Sequence, residues 1–500
     1  MSQIRRQSIL STVLVYVGFA AGFVNTYLFT RQGSPFSPSQ YAMTSIFLAV
    51  GNLMYAFSSL GMVSVVYKFY PYYKDNLPQK KIDLMGWSIL FSLMGFLLMM
   101  AGAFIFKDLI VQKFAGNSPL FLQYFRWIFP FAFGILFFSL FEAFGWNIRQ
   151  SVFTTFLREL FFKGLITILI LLLSVRVISD FDSFIKWYSL TFGFTALILM
   201  LYLIYKNAFS ITLKLSQVTR KFYKKIRAMA LLSYLSSIVY MVANFIDMLI
   251  IMSLLGTTEA GIYSLGLVIG SLVQAPQRGA IAAAIPVVSQ AWKDKEYEKI
   301  QRIYHRSGLN LLIGGLAIFF LVWMSYTDIV NTFHLQPAYL TSLWVFFFIG
   351  LARVVDMGTG INSQIISTSA HWRFEVVAGI IVLLIIIPVD YMLIKRIGIV
   401  GAGIATLFSA LLFNLLRIIF LYRKFRMYPF SWKMALSIIV AVGCYGISYY
   451  LFRSYTGFVA IASRSLVFII LFAGATMFFQ ISPDIAPVLQ TLRKRVTGRK

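Results

Sequence analysis

The chain has 500 residues, of which 59% are hydrophobic and only 12% are charged, and its mean hydropathy is +0.81. Water-soluble domains carry about 45–50% apolar and about 25% charged residues, so this composition excludes an ordinary soluble protein. Lysine and arginine total 44 against 17 acidic residues, which gives a net charge of +27. Such a charge is also typical of nucleic-acid-binding proteins. The positions of the charges along the chain distinguish a nucleic-acid-binding protein from a membrane protein.

Long apolar runs recur along the whole sequence, and a membrane-spanning helix needs about 20 such residues. Runs of this length without period-two alternation predict helices, which satisfy their backbone polar groups within lipid. The expected fold is therefore an all-α polytopic membrane protein with about 14 transmembrane helices. The predicted spans are 8–29, 41–66, 83–106, 120–141, 154–175, 184–205, 230–254, 260–288, 307–326, 338–358, 376–394, 398–421, 434–452 and 458–480.

The distribution of lysine and arginine predicts the orientation of these helices. With a cytoplasmic amino terminus, thirty of the 44 cationic residues fall in cytoplasmic segments, nine in external connections and five within spans. Because positively charged short loops resist translocation, both termini are expected in the cytoplasm. The excess positive charge then reflects topology and attraction to anionic membrane lipids, and no nucleic-acid partner is expected.

The longest cytoplasmic connection separates six predicted spans from the eight that follow. Its basic residues alternate with apolar ones, which is typical of an amphipathic helix on the inner surface. Because six is an even number, a second set of six spans would be a parallel pseudo-repeat, and a shift of 222 residues aligns Tyr41 with Tyr263. The predicted domains are an N-lobe at 1–206, a basic amphipathic linker at 207–229, a C-lobe at 230–425, two extra helices at 426–482 and a basic cytoplasmic tail at 483–500.

Residues suited to metal or hydrolytic chemistry are scarce in this sequence. Cys444 is the single cysteine, and His305, His334 and His371 lie in separate connections, which does not fit the spacing of metal ligands. The glycine-rich stretches lack a nucleotide-binding Walker pattern, and no predicted connection has room for an external catalytic domain. The sequence predicts a transporter and not an enzyme, without a cofactor other than a coupling H⁺ or Na⁺.

Several segments resemble the bacterial polysaccharide flippases of the multidrug/oligosaccharidyl-lipid/polysaccharide exporter superfamily. They are similar to that family's second helix and its exit, to the start of its second lobe, and to a helix end followed by a glycine-rich helix start. The segments are 58–62 (SSLGM) with 67–71 (YKFYP), 255–264 (LGTTEAGIYS) with 284–289 (AIPVVS) and 292–296 (WKDKE), and 388–394 (PVDYMLI) with 398–406 (GIVGAGIAT). Taken with the plan of fourteen spans, the resemblance covers nearly the whole chain.

The resemblance implies a flippase that moves undecaprenyl-diphosphate-linked oligosaccharide from the cytoplasmic to the outer leaflet of the bacterial inner membrane. It implies a role in O-antigen, capsule or exopolysaccharide assembly, by alternating access of two lobes around a central cavity. Other polysaccharide-assembly membrane proteins are then expected partners. A diphosphate crosses hydrocarbon only at high cost without partners, so such a cavity should be cationic.

Basic residues within predicted spans are the candidates for binding this cargo, because charges in a membrane are costly and usually functional. Arg278 lies deep in the eighth span beside Pro276, and the resemblance implies a cavity role for it, because in the related lipid II flippases an arginine in the corresponding helix faces the cavity. Arg353 is also a candidate, although Asp356 could neutralise it at i, i+3. Lys163 could bind cargo or pair with Glu159 at i, i+4. Arg417, near an inner end, is expected to snorkel to lipid head groups.

The polar and acidic candidates lie mainly in the first and seventh spans, which line the cleft between lobes in the resembling superfamily. Asn25 and Asn244 are expected to contact sugar hydroxyls, and Asp247, which the shift of 222 aligns with Asn25, could contact sugar or bind a coupling cation. Glu142 is a second coupling candidate, with a position at the inner head groups as the alternative. No metal-binding residue is predicted.

Two other functions of the same superfamily remain open from the sequence. A cation-coupled multidrug or small-molecule exporter would share the helical bundle but typically has twelve spans and a less basic cavity. A lipid II flippase would have charged residues in its first helix, whereas residues 8–29 have none. A membrane-embedded polymerase or ligase of the same pathway would need a large outer loop, which this chain lacks.

Overall fold

The computed structural model describes residues 3–482, without the side chains of residues 3–9, 12, 282 and 283. The described chain is helical, which confirms the predicted all-α class, and within residues 3–482 it forms two compact units that divide between Gly261 and Ile262. The predicted tail at 483–500 lies outside the described residues. The N-lobe and C-lobe that the sequence predicts on either side of 207–229 stay a prediction, as does the internal repeat between them.

The first unit contains eleven helices in its described part. They are α1 (Gln3–Thr30), α2 (Pro38–Ser58), α3 (Met62–Asn76), α4 (Leu84–Ile105), α5 (Lys107–Phe114), α6 (Pro119–Tyr124), α7 (Ile128–Asn147), α8 (Ser151–Phe156), α9 (Phe162–Ser174), α10 (Phe181–Tyr205) and α11 (Gln217–Leu254). Short 3-10 turns lie at Gln79–Lys81 and Phe125–Trp127, and a π-helical turn at Leu157–Phe161 joins α8 to α9. Aromatic packing between α7 and α10 forms the centre, where Phe131 stacks on Tyr188 with ring centroids 5.2 Å apart.

The next helix, α12 (Thr257–Val273), leads from the first unit into the second. The remaining helices are α13 (Ala275–Lys293), α14 (Tyr297–Thr332), α15 (Ser342–Gly358), α16 (Asn362–Thr368), α17 (Arg373–Ile397), α18 (Ile399–Phe425), α19 (Trp432–Leu451) and α20 (Gly457–Phe478), with a 3-10 turn at Pro337–Thr341. Within the second unit, α15 packs against α14 and α18, while α19 and α20 pack on α14.

Twelve helices within residues 3–482 are long and apolar enough to cross a membrane. They correspond to twelve of the fourteen predicted spans. The predicted fifth span, 154–175, contains the π-helical turn and three charged residues, Arg158, Glu159 and Lys163. The predicted eighth span, 260–288, is divided between α12 and α13, so the exact count of fourteen is not confirmed.

The predicted amphipathic linker at 207–229 is not a separate surface helix. Its first part is non-helical, and its basic residues from Arg220 onward form the first turns of α11, which continues unbroken for 38 residues. At 1.5 Å per residue such a helix is about 57 Å long, whereas the hydrocarbon core of a bilayer is about 30 Å thick. The basic turns are therefore an extension of the seventh predicted span beyond the hydrocarbon.

The predicted second span, 41–66, is also interrupted. Leu60 and Gly61 have positive φ angles of 45° and 74°, which end α2 and redirect the chain into α3. A Cβ atom on Gly61 would lie 2.1 Å from the carbonyl oxygen of Ala230 in α11. Glycine is therefore required both by the backbone conformation and by the close approach of α11.

Candidate functional site

The second predicted span of each sequence half is a broken helix. One break lies at residues 59–61 between α2 and α3, and the other is at Gln274 between α12 and α13. Pro276 in the first turn of α13 has no backbone N–H, so it cannot complete the hydrogen bond that would continue α12. Broken helices at membrane depth occur where the backbone is buried in protein or lines a watery cavity, and paired breaks in two halves indicate a transport site.

A polar network joins the break in the second unit to α15 and α18. Asp356 Oδ2 accepts hydrogen bonds from Gln274 Nε2 and Gln277 Nε2, both at 3.2 Å. Asp356 Oδ1 accepts a third hydrogen bond, of 3.1 Å, from Asn414 Nδ2. Three neutral amides therefore stabilise this carboxylate and connect it to the redirected segment.

The network continues through buried side chains at the end of α15. Asn414 Oδ1 accepts hydrogen bonds of 2.7 Å from Thr359 Oγ1 and from Asn362 Nδ2. All three residues are buried. Asn414 accepts from Asn362 through Oδ1 and donates to Asp356 through Nδ2, so this chain of amide hydrogen bonds ends at the Asp356 carboxylate. The Thr359 hydroxyl lies within reach of both Asn414 Oδ1 and the Asp356 carbonyl oxygen.

Arg353 lies one helical turn before Asp356 on α15, but the two do not form an ion pair in the described structure. The Nε atom of Arg353 is buried and has no hydrogen-bond acceptor among the described residues, while the Asp356 carboxylate is occupied by amides. The anticipated neutralisation at i, i+3 is therefore wrong. Arg353 presents a partly buried cation that lacks an anionic partner at this atom.

Arg278 lies in the first turn of α13, four residues after the break at Gln274, and its side chain is exposed. The sequence placed it deep in one continuous eighth helix. That geometry is wrong, because α12 ends at Val273 and a new helix begins at Ala275. The structure places Arg278 next to a proline-marked break, and its role as a cargo ligand remains a prediction.

The predicted site residues Lys163 and Asn25 hold α1 against α9 in the first unit. Lys163 Nζ contacts Glu159 Oε2 at 2.8 Å and donates to the Gly18 carbonyl oxygen at 2.9 Å. Asn25 Nδ2 donates to the Lys163 carbonyl oxygen at 2.9 Å, and Asn25 Oδ1 accepts from Thr167 at 2.6 Å. The local pairing of Lys163 with Glu159 is thus observed, and these side chains have a clear structural function.

Glu142, a predicted coupling residue, is buried in α7 and paired with Arg158, which lies near the start of the predicted fifth span. Arg158 Nε donates to Glu142 Oε1 at 3.1 Å, and Arg158 Nη2 lies 2.5 Å from Glu142 Oε2. A bidentate pair of this kind uses both carboxylate oxygens. The π-helical turn at Leu157–Phe161 is the element that brings Arg158 to Glu142, and periodicity gave no signal of it.

Asn244 and Asp247 are three residues apart on α11 and so lie on the same side of that helix. Asn244 is exposed, and its Nδ2 donates to the carbonyl oxygen of Tyr240 one turn earlier at 2.7 Å. Asp247 is half-buried. This placement leaves the predicted roles in sugar contact and ion coupling as predictions.

Two further buried arginines hold helices together in the second unit. Arg417 is buried, pairs with Glu375 Oε2 at 2.9 Å and stacks over Phe413 at 3.7 Å, so the expectation that it snorkels to lipid is wrong. Arg464 in α20 contacts Asp328 at 2.6 Å and donates to the carbonyl oxygens of residues 324, 452 and 455. Arg464 lies near the start of the predicted span 458–480, and nothing in the sequence indicated its contact with Asp328.

The described residues therefore provide two kinds of charged site. Lys163 and Arg417 contact carboxylates within their own units, and Arg353 and Arg278 lie on the helices that adjoin the broken segment of the second unit. Within residues 3–482 there is no group of three or more His, Cys, Asp or Glu side chains that could hold a metal ion. The guanidinium and amide donors near the break are suited to binding an anion.

Comparison with known proteins defines the class of fold. Residues 233–392 match the MatE family model. The structure is similar to the lipid II flippase MurJ in an inward closed conformation, with a TM-score of 0.71, 14% identity, and coverage of 94% of this chain and 99% of that chain. No curated relative matches the sequence.

Two transporters of the multidrug type are also similar. An inward-facing MATE family transporter of the MOP superfamily gives a TM-score of 0.65 with 15% identity, covering 83% of this chain and 94% of that chain. A mutant of the Vibrio cholerae MATE transporter VcmN gives 0.56 with 12% identity, covering 84% and 97%. This chain therefore has the fold shared by these MOP-superfamily transporters and the flippase, and residues 233–392 are similar to the MatE family model.

Proposed function

We propose that this protein is a flippase for undecaprenyl-diphosphate-linked oligosaccharides. It moves them from the cytoplasmic to the outer leaflet of the bacterial inner membrane by alternating access, for assembly of a surface polysaccharide. Both termini are cytoplasmic in this proposal, and the partners are the lipid-linked glycan, anionic lipids and other polysaccharide-assembly membrane proteins.

The partly buried guanidinium of Arg353 is the observation that carries the proposal. A cation within a membrane-spanning helix is costly unless it has a partner, and its neighbour Asp356 is already bound by Gln274, Gln277 and Asn414. An anionic cargo would supply the partner. A diphosphate suits arginine because its oxygens can accept two parallel hydrogen bonds from the planar guanidinium.

The location of Arg278 supports the same cargo. It lies at the amino-terminal end of α13, where backbone N–H groups and the helix dipole favour negative charge. Arg278 and Arg353 are on helices that the Asp356 network connects directly. A diphosphate bound between Arg278 and Arg353 would couple occupancy of the site to the position of the broken segment between α12 and α13.

The MurJ-like fold supports a lipid-linked cargo, since the MurJ structure is that of a lipid II flippase. Absence of charged residues from 8–29 favours an oligosaccharide other than lipid II, because the resembling lipid II branch carries charges in that helix. The MATE transporters share the fold, so export of small molecules by cation coupling is the competing function.

For coupling to H⁺ or Na⁺, the proposed residue is Asp247. Both carboxylate oxygens of Glu142 accept hydrogen bonds from Arg158, so Glu142 is assigned to holding α7 and the π-helical turn together. Asp247→Asn should leave the amount of protein in the membrane unchanged and reduce transport. A collapse of protein abundance would instead identify Asp247 as a structural residue.

Binding of undecaprenyl diphosphate to the purified protein tests the cargo assignment. Loss of a charge-assisted hydrogen bond costs about 1.5–3 kcal/mol, so Arg353→Ala should raise Kd by about 10- to 150-fold. Arg353→Lys and Arg278→Lys should retain part of the affinity. The control is Arg396→Ala, which removes an exposed arginine from the end of α17 and should leave Kd unchanged.

Two results would contradict this assignment. Equal affinity of native protein and Arg353→Ala for undecaprenyl diphosphate would remove the role of Arg353. Tight binding of organic cations, together with no measurable binding of the lipid diphosphate, would favour the multidrug exporter.

A further inference from the structure

A strongly basic surface lies outside the transport segments of the first unit. It consists of residues 74–81, at the end of α3 and the following turn, and residues 206–227, from the end of α10 into α11; we name these two segments the basic platform. Its cationic residues are Lys74, Lys80, Lys81, Lys206, Lys214, Arg220, Lys221, Lys224, Lys225 and Arg227. Asp83, just beyond the first segment, is completely buried, and Asp75 is the single acidic residue within the platform.

Asp83 holds the two segments together. Its Oδ2 accepts a hydrogen bond from the backbone N–H of Ser216 at 2.9 Å and another from Thr219 Oγ1 at 2.7 Å. Tyr73 OH lies 2.8 Å from the same threonine oxygen. Burial raises the pKa of Tyr73 to about 12, so this hydroxyl stays protonated at neutral pH. The platform is therefore a fixed surface and not two independent loops.

Further contacts extend this attachment along the connection. Gln79 Nε2 donates to the carbonyl oxygen of Ala208 at 2.9 Å, and Ser210 Oγ donates to that of Ile82 at 3.1 Å. The 3-10 turn carrying Lys80 and Lys81 is thus held beside the segment that carries Lys206 and Lys214.

The first turns of α11 have one apolar and one basic face. Val218 is buried, and Phe222 packs against Phe69 and Tyr72 with ring centroids 6.1 and 5.1 Å away. At 100° per residue, the four cations Arg220, Lys221, Lys224 and Lys225 fall within one arc of about 140° around the helix. Arg220 and Lys224 lie opposite the apolar face, whereas the ammonium groups of Lys221 and Lys225 each lie 5.8 Å from the Phe222 ring centroid. All four are exposed, so they form a continuous cationic face.

Large apolar side chains are exposed beside these cations. Ile211 is 65% exposed, Leu215 is 51% exposed and Tyr223 is 56% exposed. Exposed apolar side chains would not contribute to the binding of a soluble anion. The interface of a bilayer, in contrast, accommodates both apolar side chains and cations. Clusters of four to eight Lys and Arg next to a membrane helix are typical of sites for anionic lipids.

We propose that the basic platform is a binding site for the head groups of anionic phospholipids, with Ile211, Leu213, Leu215 and Tyr223 entering the interfacial region. The site is independent of the cargo, because it lies on the first unit and uses none of the residues assigned to the lipid-linked glycan. It anchors the start of α11, the helix that carries Asn244 and Asp247, to the leaflet surface.

A comparison of two brominated lipids tests this directly with the full chain. In a Cys444→Ser background, Leu213→Cys provides one thiol for an environment-sensitive fluorophore at an exposed position of the platform. The labelled protein is reconstituted into vesicles of phosphatidylcholine and phosphatidylglycerol in which one lipid or the other is brominated. We expect brominated phosphatidylglycerol to associate with the site about fivefold more strongly than brominated phosphatidylcholine.

Two variants separate this site from general attraction to the protein's positive charge. The combined Gln substitutions of Arg220, Lys221, Lys224 and Lys225 should remove the preference for phosphatidylglycerol. The matched control neutralises the exposed cations Lys293, Lys295, Lys299 and Arg302, which alternate with Asp294, Glu296 and Glu298, and should retain the preference.

The salt dependence of the labelled Leu213→Cys protein provides a measurement that requires no charge-neutralised variant to fold. Raising NaCl from 0.1 to 1 M shortens the screening length from about 10 to about 3 Å and should abolish the preference. Equal quenching by the two lipids at low salt, or a preference that persists at 1 M, would overturn the proposal. Absence of quenching by either lipid would also overturn it and would favour a soluble acidic protein as the ligand.

Discussion

Replacement of Asp356 by asparagine should destabilise the second unit although the two side chains have nearly the same size. Asparagine has one acceptor oxygen, whereas Asp356 accepts hydrogen bonds on both oxygens. If the asparagine oxygen faces Gln274 and Gln277, its NH₂ group faces the NH₂ group of Asn414. Two donors then oppose each other in a buried site.

Rotation of the Asn414 amide cannot repair this arrangement. Its NH₂ group would then face Asn362 Nδ2, which now donates to Asn414 Oδ1 at 2.7 Å and cannot accept. One buried donor therefore remains unsatisfied, at a cost of about 1–3 kcal/mol. For a unit of this size, that loss corresponds to a decrease in Tm of about 2–10 °C.

A double variant that exchanges the residues at positions 356 and 414 provides a sharper test of the network. In the double variant Asp356→Asn, Asn414→Asp, the new carboxylate accepts from Thr359, Asn362 and the new amide, while the amide oxygen accepts from the two glutamines. Thermal unfolding of purified protein should show that the double variant recovers part of the stability lost in Asp356→Asn. Recovery is incomplete because the carboxylate oxygen that replaces Asn414 Nδ2 faces the Ala410 carbonyl oxygen, to which that nitrogen donates at 2.9 Å in the native protein. The single variant Asn414→Asp should be the least stable of the set because it places two carboxylates in contact. Native stability of Asp356→Asn, or a double variant no better than its parent, would refute the directional network.

The other predictions concern packing, ion pairing and topology. A Cβ atom on Gly18 would lie 2.7 Å from Cβ of Glu159, so Gly18→Ala should lower Tm and reduce the yield of folded protein; an unchanged Tm would contradict the close packing of α1. Arg464→Lys cannot satisfy Asp328 and three backbone carbonyls together. Its unfolding free energy should fall by about 3 kcal/mol, within the range for breaking buried ion pairs, and a loss below 1 kcal/mol would show that the contact is weak. A reporter fused after Lys214 should be cytoplasmic, and an external signal would refute the charge-based orientation.

Composition and apolar run length predicted most of the fold. The all-α membrane fold can be predicted because every spanning helix must be apolar over about 20 residues, and such runs recur along the whole chain. Departures occur where local residues interrupt that pattern. Leu60 and Gly61 at positive φ, Pro276 after Gln274 and the π-helical turn before α9 break or distort helices that hydropathy alone reads as continuous.

The charged residues were harder to interpret from sequence, because their partners are distant along the chain. Lys163 and Glu159 are one turn apart, and their contact was foreseen from that spacing. Glu142 with Arg158, and Arg417 with Glu375, belong to different helices, and nothing in helical periodicity relates them. The same limit applies to Asp356, whose proximity to Arg353 suggested an ion pair although amides from other helices bind it.

Transport of a lipid diphosphate in reconstituted vesicles tests the proposed function most directly. Undecaprenyl-diphosphate oligosaccharide carrying a fluorophore on its sugar is incorporated in both leaflets, and a membrane-impermeant reductant is added outside. Vesicles containing native protein should lose inner-leaflet fluorescence as well, whereas vesicles with Arg353→Ala should lose only the outer-leaflet share and those with Arg396→Ala should match native protein. Retention of the inner-leaflet fluorescence by native protein, under conditions in which the same vesicles transport an organic cation, would contradict the flippase assignment.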